Sequence, residues 1–222
     1  NYGKDKWGYR ISGNFKQHQA YTDGDGETVP FTQYKKINIQ QSITYKLKQG
    51  RLQADYLIDD AYDVGYPALP MDVSSAKARI YALTYKQKRL MGSIQDIQMK
   101  AYANTVYHVM DDSQRDSLYM VPNRNTGVED SVYMKMDMPG WSNTYGGFIE
   151  GRIFTSDKNI LFIKIEDYFN WSKAEMTMYM NNLSNPGEPP MFTETWPSHQ
   201  QNVTGIYLRD TWYVANSVSL IF

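Results

Sequence analysis

Tyr34-Lys35-Lys36-Ile37-Asn38-Ile39-Gln40-Gln41-Ser42-Ile43-Thr44-Tyr45-Lys46-Leu47 alternates apolar and polar residues with a period of two. Ile37, Ile39, Ile43, Tyr45 and Leu47 fall on one face, and Lys36, Asn38, Gln40, Ser42, Thr44 and Lys46 fall on the other. Successive side chains of an extended chain point to opposite faces, whereas a helix would scatter this pattern around its circumference. The stretch is a strand with one wet face and one apolar face.

The same period runs outward in both directions. Trp7, Tyr9, Ile11 and Phe15 oppose Arg10, Ser12, Asn14 and Lys16, and Leu52, Ala54, Tyr56 and Ile58 oppose Arg51, Gln53 and Asp55. Residues 92 to 106, 145 to 155, 159 to 169 and 203 to 214 read as further strands, while Ala76 to Gln87 has apolar residues on both faces. No amphipathic helix is evident. Tight turns are expected at Lys48-Gln49-Gly50, Lys88 to Gly92, Ser156-Asp157-Lys158-Asn159 and Ala215-Asn216-Ser217, all rich in turn-forming types. Between them lie long polar connections at about 18 to 33, 60 to 75, 107 to 131 and 171 to 201.

Long and short connections alternate, which places every long loop at one end of the sheet. Short turns on one side and long loops on the other mark a membrane-spanning barrel, whose strands need only about 9 to 11 residues each. The expected fold is therefore all-β, an antiparallel up-and-down transmembrane β-barrel in which about ten strands can be counted, with residues 1–222 forming one barrel domain. A secreted β-sandwich that binds glycans through loop aromatics is the alternative. Its turn signals would recur every 8 to 12 residues or so, closer than these.

Composition narrows the function. With 23 Lys+Arg against 24 Asp+Glu the net charge is −1, so no basic field exists to gather nucleic acid. Cysteine is absent, which removes disulfides, thiolate metal sites and thiol nucleophiles. The 19 Tyr and 5 Trp outnumber 8 Phe, a bias toward rings that sit between apolar and wet surroundings. No apolar run reaches the roughly 18 residues of a spanning helix. No nucleophile elbow, phosphate loop or zinc-binding helix is present, so binding and not bond chemistry is the expected work.

Asp63-Val64-Gly65-Tyr66-Pro67-Ala68-Leu69-Pro70-Met71-Asp72 resembles a loop segment of TonB-dependent outer-membrane receptors. Tyr107-His108-Val109-Met110-Asp111-Asp112 resembles the His-x-Met-Asp segment of the same family, in particular its copper-receptor subgroup. Met136-Asp137-Met138-Pro139 with Thr144-Tyr145-Gly146-Gly147 resembles the strand that follows. The resemblance implies a 22-stranded barrel in the outer membrane of a Gram-negative bacterium, of which this chain supplies somewhat under half. It also implies a plug domain elsewhere in the full-length chain, a TonB-type periplasmic coupling protein, outer-membrane lipid around the barrel, and a transported metal ion or metal chelate. No TonB box or plug is recognisable within these residues, and the terminal Phe222 reads as the result of truncation.

The candidate site is a sulfur and imidazole set: His108 and Met110, then Met134, Met136 and Met138 on one side of a strand. Thioether sulfur is a soft ligand that selects Cu(I), and imidazole suits copper generally. The resemblance makes His108 and Met110 a metal-contacting pair. The plainer reading is that methionine is an adaptable apolar filler and His108 a metal-free lumenal histidine. Met176, Met178 and Met180 form a second stripe with no histidine beside them. Asp59, Asp60, Asp63 and Asp72, and separately Asp23 and Asp25, could attract a hard cation or simply be solvated. The loop aromatics Trp141, Trp171 and Trp196 could stack on a glycan or siderophore ring, or belong to the interfacial girdle. No resident cofactor is required; copper or a ferric chelate is the cargo considered.

Overall fold

A computed structural model of the chain describes residues 1–115, 118–122, 127, 129–182, 189–215 and 218–222, without the side chains of 89, 91, 118–122, 129–134 and 180–182. Among the described residues, eleven strands form one antiparallel sheet: β1 (Tyr2–Lys4), β2 (Trp7–His18), β3 (Tyr34–Lys46), β4 (Gly50–Val64), β5 (Asp72–Met91), β6 (Ile94–Asp111), β7 (Leu118–Pro122), β8 (Glu129–Ser156), β9 (Asn159–Asn182), β10 (Met191–Ala215) and β11 (Val218–Ile221). Ten of them pair in chain order, and β7 folds back on the start of β8. That order is a meander in a single sheet, where a sandwich would show two packed sheets.

The sheet has almost no core of its own. Val73 and Met136 are its only buried apolar residues among those described. The accessible surface is 15118 Å², against about 10,500 Å² for a compact globule of this mass. The excess lies on two uncovered faces. Met99, Ile149, Ile165 and Ile206 stand directly opposite one another across β6, β8, β9 and β10, and all four are exposed. Toward the tight turns Trp7 packs on Tyr45 with ring centroids 4.7 Å apart, and toward the loops Tyr107 packs on Trp141 at 5.6 Å. An apolar band between two aromatic girdles is the outside of a barrel wall.

The opposite face is polar. Its rows include Asn38, Asp59, Ala78, Val106, Ser142, Ser172 and His199, taken straight across β3 to β10. Gly146 belongs to this face, where an added Cβ would lie 2.6 Å from the Tyr168 Cβ and 2.7 Å from the Tyr102 hydroxyl, so glycine leaves room for the two tyrosines.

Three connections are shorter than the sequence pattern indicates. The stretches expected as loops at 60 to 75, 107 to 131 and 171 to 201 are largely strand, since β4 runs to Val64, β6 to Asp111, β9 to Asn182 and β10 begins at Met191. Beyond the apolar band both faces of a strand are wet. The period-two signal therefore fades while the backbone ladder continues. β8, β9 and β10 have 28, 24 and 25 residues, more than twice the roughly 9 to 11 needed to span. The turn expected at Ala215-Asn216-Ser217 falls partly outside the described residues, with β10 and β11 paired on either side.

Candidate functional site

The long strands form a wall above the apolar band, and its polar face carries the methionines. Across the β6/β8 ladder Met110 faces Met138. Across β8, β9 and β10, Met136, Met178 and Met191 form one continuous row. Met134 faces Met180 in backbone register, although both side chains lie outside the described residues. Met176 pairs with Thr193, and His108 lies opposite Gly140, on the same polar face as the rest. The two stripes read separately from the sequence are thus one patch.

The hairpin explains the convergence. β8 and β9 turn at Asp157 and Lys158, and their partners keep a constant sum of residue numbers from Met134↔Met180 to Ile153↔Leu161. Between Asp137 and Gly140 the β8/β9 pairing lapses, where Pro139 has no amide to donate. Met136 is buried, 7 % exposed. Its backbone amide donates to the carboxylate of Asp112 at 2.9 Å, and Asp112 is fully buried. Met191, by contrast, is half-exposed. The patch therefore runs from an open edge at Met191 to a sequestered position at Met136.

The neighbouring loops are clasped by one guanidinium. Arg115 donates to both Asp72 oxygens at 2.6 and 2.8 Å, to the carbonyl of Tyr66 at 2.8 Å and to that of Leu69. Its guanidinium carbon sits 4.0 Å from the Phe31 ring centre. Asp72 also accepts the Tyr66 amide at 2.8 Å. This clasp fixes the loop between β4 and β5 against the segment that follows Met110. Below the patch, Asn170 Nδ2 donates to Thr144 Oγ1 at 2.8 Å and Ser142 Oγ at 3.2 Å, tying β9 to β8.

His108 lies three residues from the loop end of β6, on the loop side of the girdle residue Tyr107. Burial pushes its imidazole below the ordinary range, which favours the neutral form that ligates metals. Asp111, next along, is pushed up by burial, but hydrogen bonds from Ser113 and Ser74 and the charge of Lys135 bring it down on balance. Alternation along β6 puts it on the face opposite Met110.

The acidic residues do not form a hard-ion site among the described residues. Asp60 is held by Arg79, Asp63 by Lys35 at 2.9 Å, Asp59 by Lys36 at 3.1 Å and Asp72 by Arg115. Asp23 accepts the amides of Asp25 and Glu27, as a turn residue does. The three tryptophans sit in strands, not loops. Trp141 and Trp171 are on the apolar face, with Trp171 Nε1 donating to Ser198 Oγ at 3.0 Å. Trp196 pairs with Ala174 on the polar face and donates to Ser172 Oγ at 3.1 Å. Each indole nitrogen of the β9/β10 pair is thus satisfied across the ladder.

Met191 is the patch member that sequence reasoning missed. A signal for the rest was present. Met-x-Met-x-Met at 134 to 138 and again at 176 to 180 is symmetric about the turn at Asp157, so a hairpin folded there must bring the two runs together.

No family model matches the chain, and no curated protein sequence matches it. Among solved structures it is similar to one titled "Copper transporter OprC", with a TM-score of 0.77 and 21 % identity over 99 % of this chain and 33 % of the other. The chain thus spans about a third of the length of that structure. At this identity the likeness establishes the fold: the chain is an antiparallel portion of the wall of a larger β-barrel.

Proposed function

We propose that this chain is part of an outer-membrane receptor that captures a soft metal ion, Cu(I) in the first instance, for uptake energised through a TonB-type coupling protein. The carrying observation is that backbone register gathers Met110, Met138, Met136, Met178 and Met191 with His108 on one face, at the loop end. Thioethers bind hard cations poorly and Cu(I) well, and they carry no charge to repel or trap a monovalent ion. The gradient from exposed Met191 to buried Met136 suits transient capture followed by handover. The copper transporter of similar fold supports the same reading. The apolar band and its two aromatic girdles support a membrane location.

The test is Ag(I) or Cu(I) binding by the full-length protein in detergent. Replacing Met110, Met136 and Met138 together by leucine keeps apolar volume but removes sulfur, and is expected to weaken binding at least about tenfold. Unchanged affinity would overturn the metal reading and leave a chelate as the cargo.

A further inference from the structure

On the lipid-facing side, level with the girdle at the loop end, the wall carries charge. Asp60, Lys77, Tyr107 and Trp141 stand in one row across β4, β5, β6 and β8. One step toward the apolar band, Arg79 stands between Ile58 and Thr105. Charge facing lipid is costly unless it is paired, and Arg79 donates to both Asp60 oxygens, from Nη2 to Oδ2 at 3.0 Å. Tyr62 Oη donates to the same carboxylate at 3.3 Å, and the neighbouring Lys35 is tied to Asp63 at 2.9 Å. One positive charge is left over. Lys77 is exposed, its ammonium 5.9 Å from the Tyr62 ring centre, and no described residue forms an ion pair with it. Arg79 Nε also has no acceptor among the described residues.

Nearer the tight turns the same face is furrowed. Arg79, Tyr81 and Leu83 follow one another on this side of β5, since alternate residues of a strand share a face. Ala54, Leu83, Ala101 and Gly147 form a row across β4, β5, β6 and β8, so a half-exposed leucine stands as a ridge between small residues. Two grooves result. The first, of about 540 Å³, lies beside Ala54 and Ala101 and is bordered by Tyr56 and Tyr81, whose rings stack at 4.8 Å. The second, of about 830 Å³, lies over Ala101 and Gly147 and is bordered by Met99 and Ile149. Asp167 stands at its rim and accepts Thr204 Oγ1 at 2.5 Å.

We propose that the cations and the two grooves are one binding site for a phosphate-bearing lipid of the outer leaflet, held individually and not as part of the surrounding bilayer. Its phosphate meets Lys77, Arg79 and Thr105, and two acyl chains lie in the grooves on either side of Leu83. Charge complementarity selects the anion, because Lys77 lacks a carboxylate and phosphate takes charge-assisted hydrogen bonds from lysine and arginine. Position selects the lipid. The cations stand at the girdle, where headgroups lie, and the grooves open in the apolar band, where chains lie. A soluble anion would gain nothing from the grooves. The inference rests on the outer-membrane reading and not on the metal reading.

The test is binding of lipid A carrying both its phosphates to the full-length protein in detergent, read by native mass spectrometry. Lys77→Gln removes the charge, and Ala101→Phe fills the floor that both grooves share. Each is expected to weaken binding at least about fivefold, the worth of one cation beside an anionic lipid surface. Lipid A stripped of its phosphates should bind more weakly than the intact lipid, and inorganic phosphate at the same concentration should not displace it. Unchanged affinity in either variant, or equal binding of the stripped lipid, would overturn the proposal. Displacement by inorganic phosphate would also overturn it, since the site would then hold an anion without chains. Parent and variants should all insert into phosphatidylcholine vesicles, which separates loss of this site from failure of the outer-membrane reading.

Discussion

Single side chains set the mouth of the barrel. His108 carries a pH signature: burial lowers its imidazole pKa, so the neutral form, the one able to ligate a metal, persists to lower pH than in an ordinary histidine. Metal affinity should therefore hold as pH falls to about 6.5, the usual imidazole value, and drop only below it. In His108→Ala the titration step should vanish, as followed by silver binding across pH. Arg115 and Asp72 are both largely buried, and removing one partner of such a pair costs about 3 kcal/mol or more. Arg115→Ala should open the loop at residues 65–71, read as faster amide exchange there with the strands unaffected. At Gly146 an alanine meets the Tyr168 Cβ, which belongs to a neighbouring strand and cannot swing away. Gly146→Ala should destabilise the folded barrel by about 1 to 3 kcal/mol, measured by denaturant unfolding in detergent.

The strand is the scale at which the methionine patch exists. A strand slipped by one residue turns every side chain to the other face. One residue inserted between Lys173 and Met176 should send Met176 and Met178 to the apolar face and weaken silver binding. A two-residue insertion should restore the face and most of the binding. Failure of the second insertion to recover more than the first would show that the patch does not depend on which face the methionines occupy. This scale also shows where sequence reading reached its limit. The strand at Tyr34–Lys46 was legible because one face meets an apolar medium and the other a wet one. The upper reaches of β8, β9 and β10 were not, because both faces there are polar and only the hydrogen-bonded ladder maintains the strand.

For the whole molecule the decisive feature is a sheet with two uncovered faces and only two described apolar residues buried. Such a sheet is stable only where lipid meets one face and the closed barrel encloses the other. Ile165, 50 % exposed in the middle of the apolar row, should tolerate arginine poorly, at about 2 to 4 kcal/mol for a charge near the bilayer midplane. Glu166→Arg, the next residue on the polar face, should be tolerated far better. Equal effects in folding titrations would contradict the assignment of the faces.

The sequence by itself determined the strands that span, their two faces, the meander order with its tight turns, and the residue types able to ligate a soft metal ion. Local alternation encodes all of these, because each strand answers to the media on its two sides. Tertiary structure alone decided which strands stand side by side and in what register. It joined two methionine stripes and Met191 into one patch, and gave Asp59, Asp60, Asp63 and Asp72 each its own cation. Pairing across a sheet links residues far apart in the chain, and no local period records it.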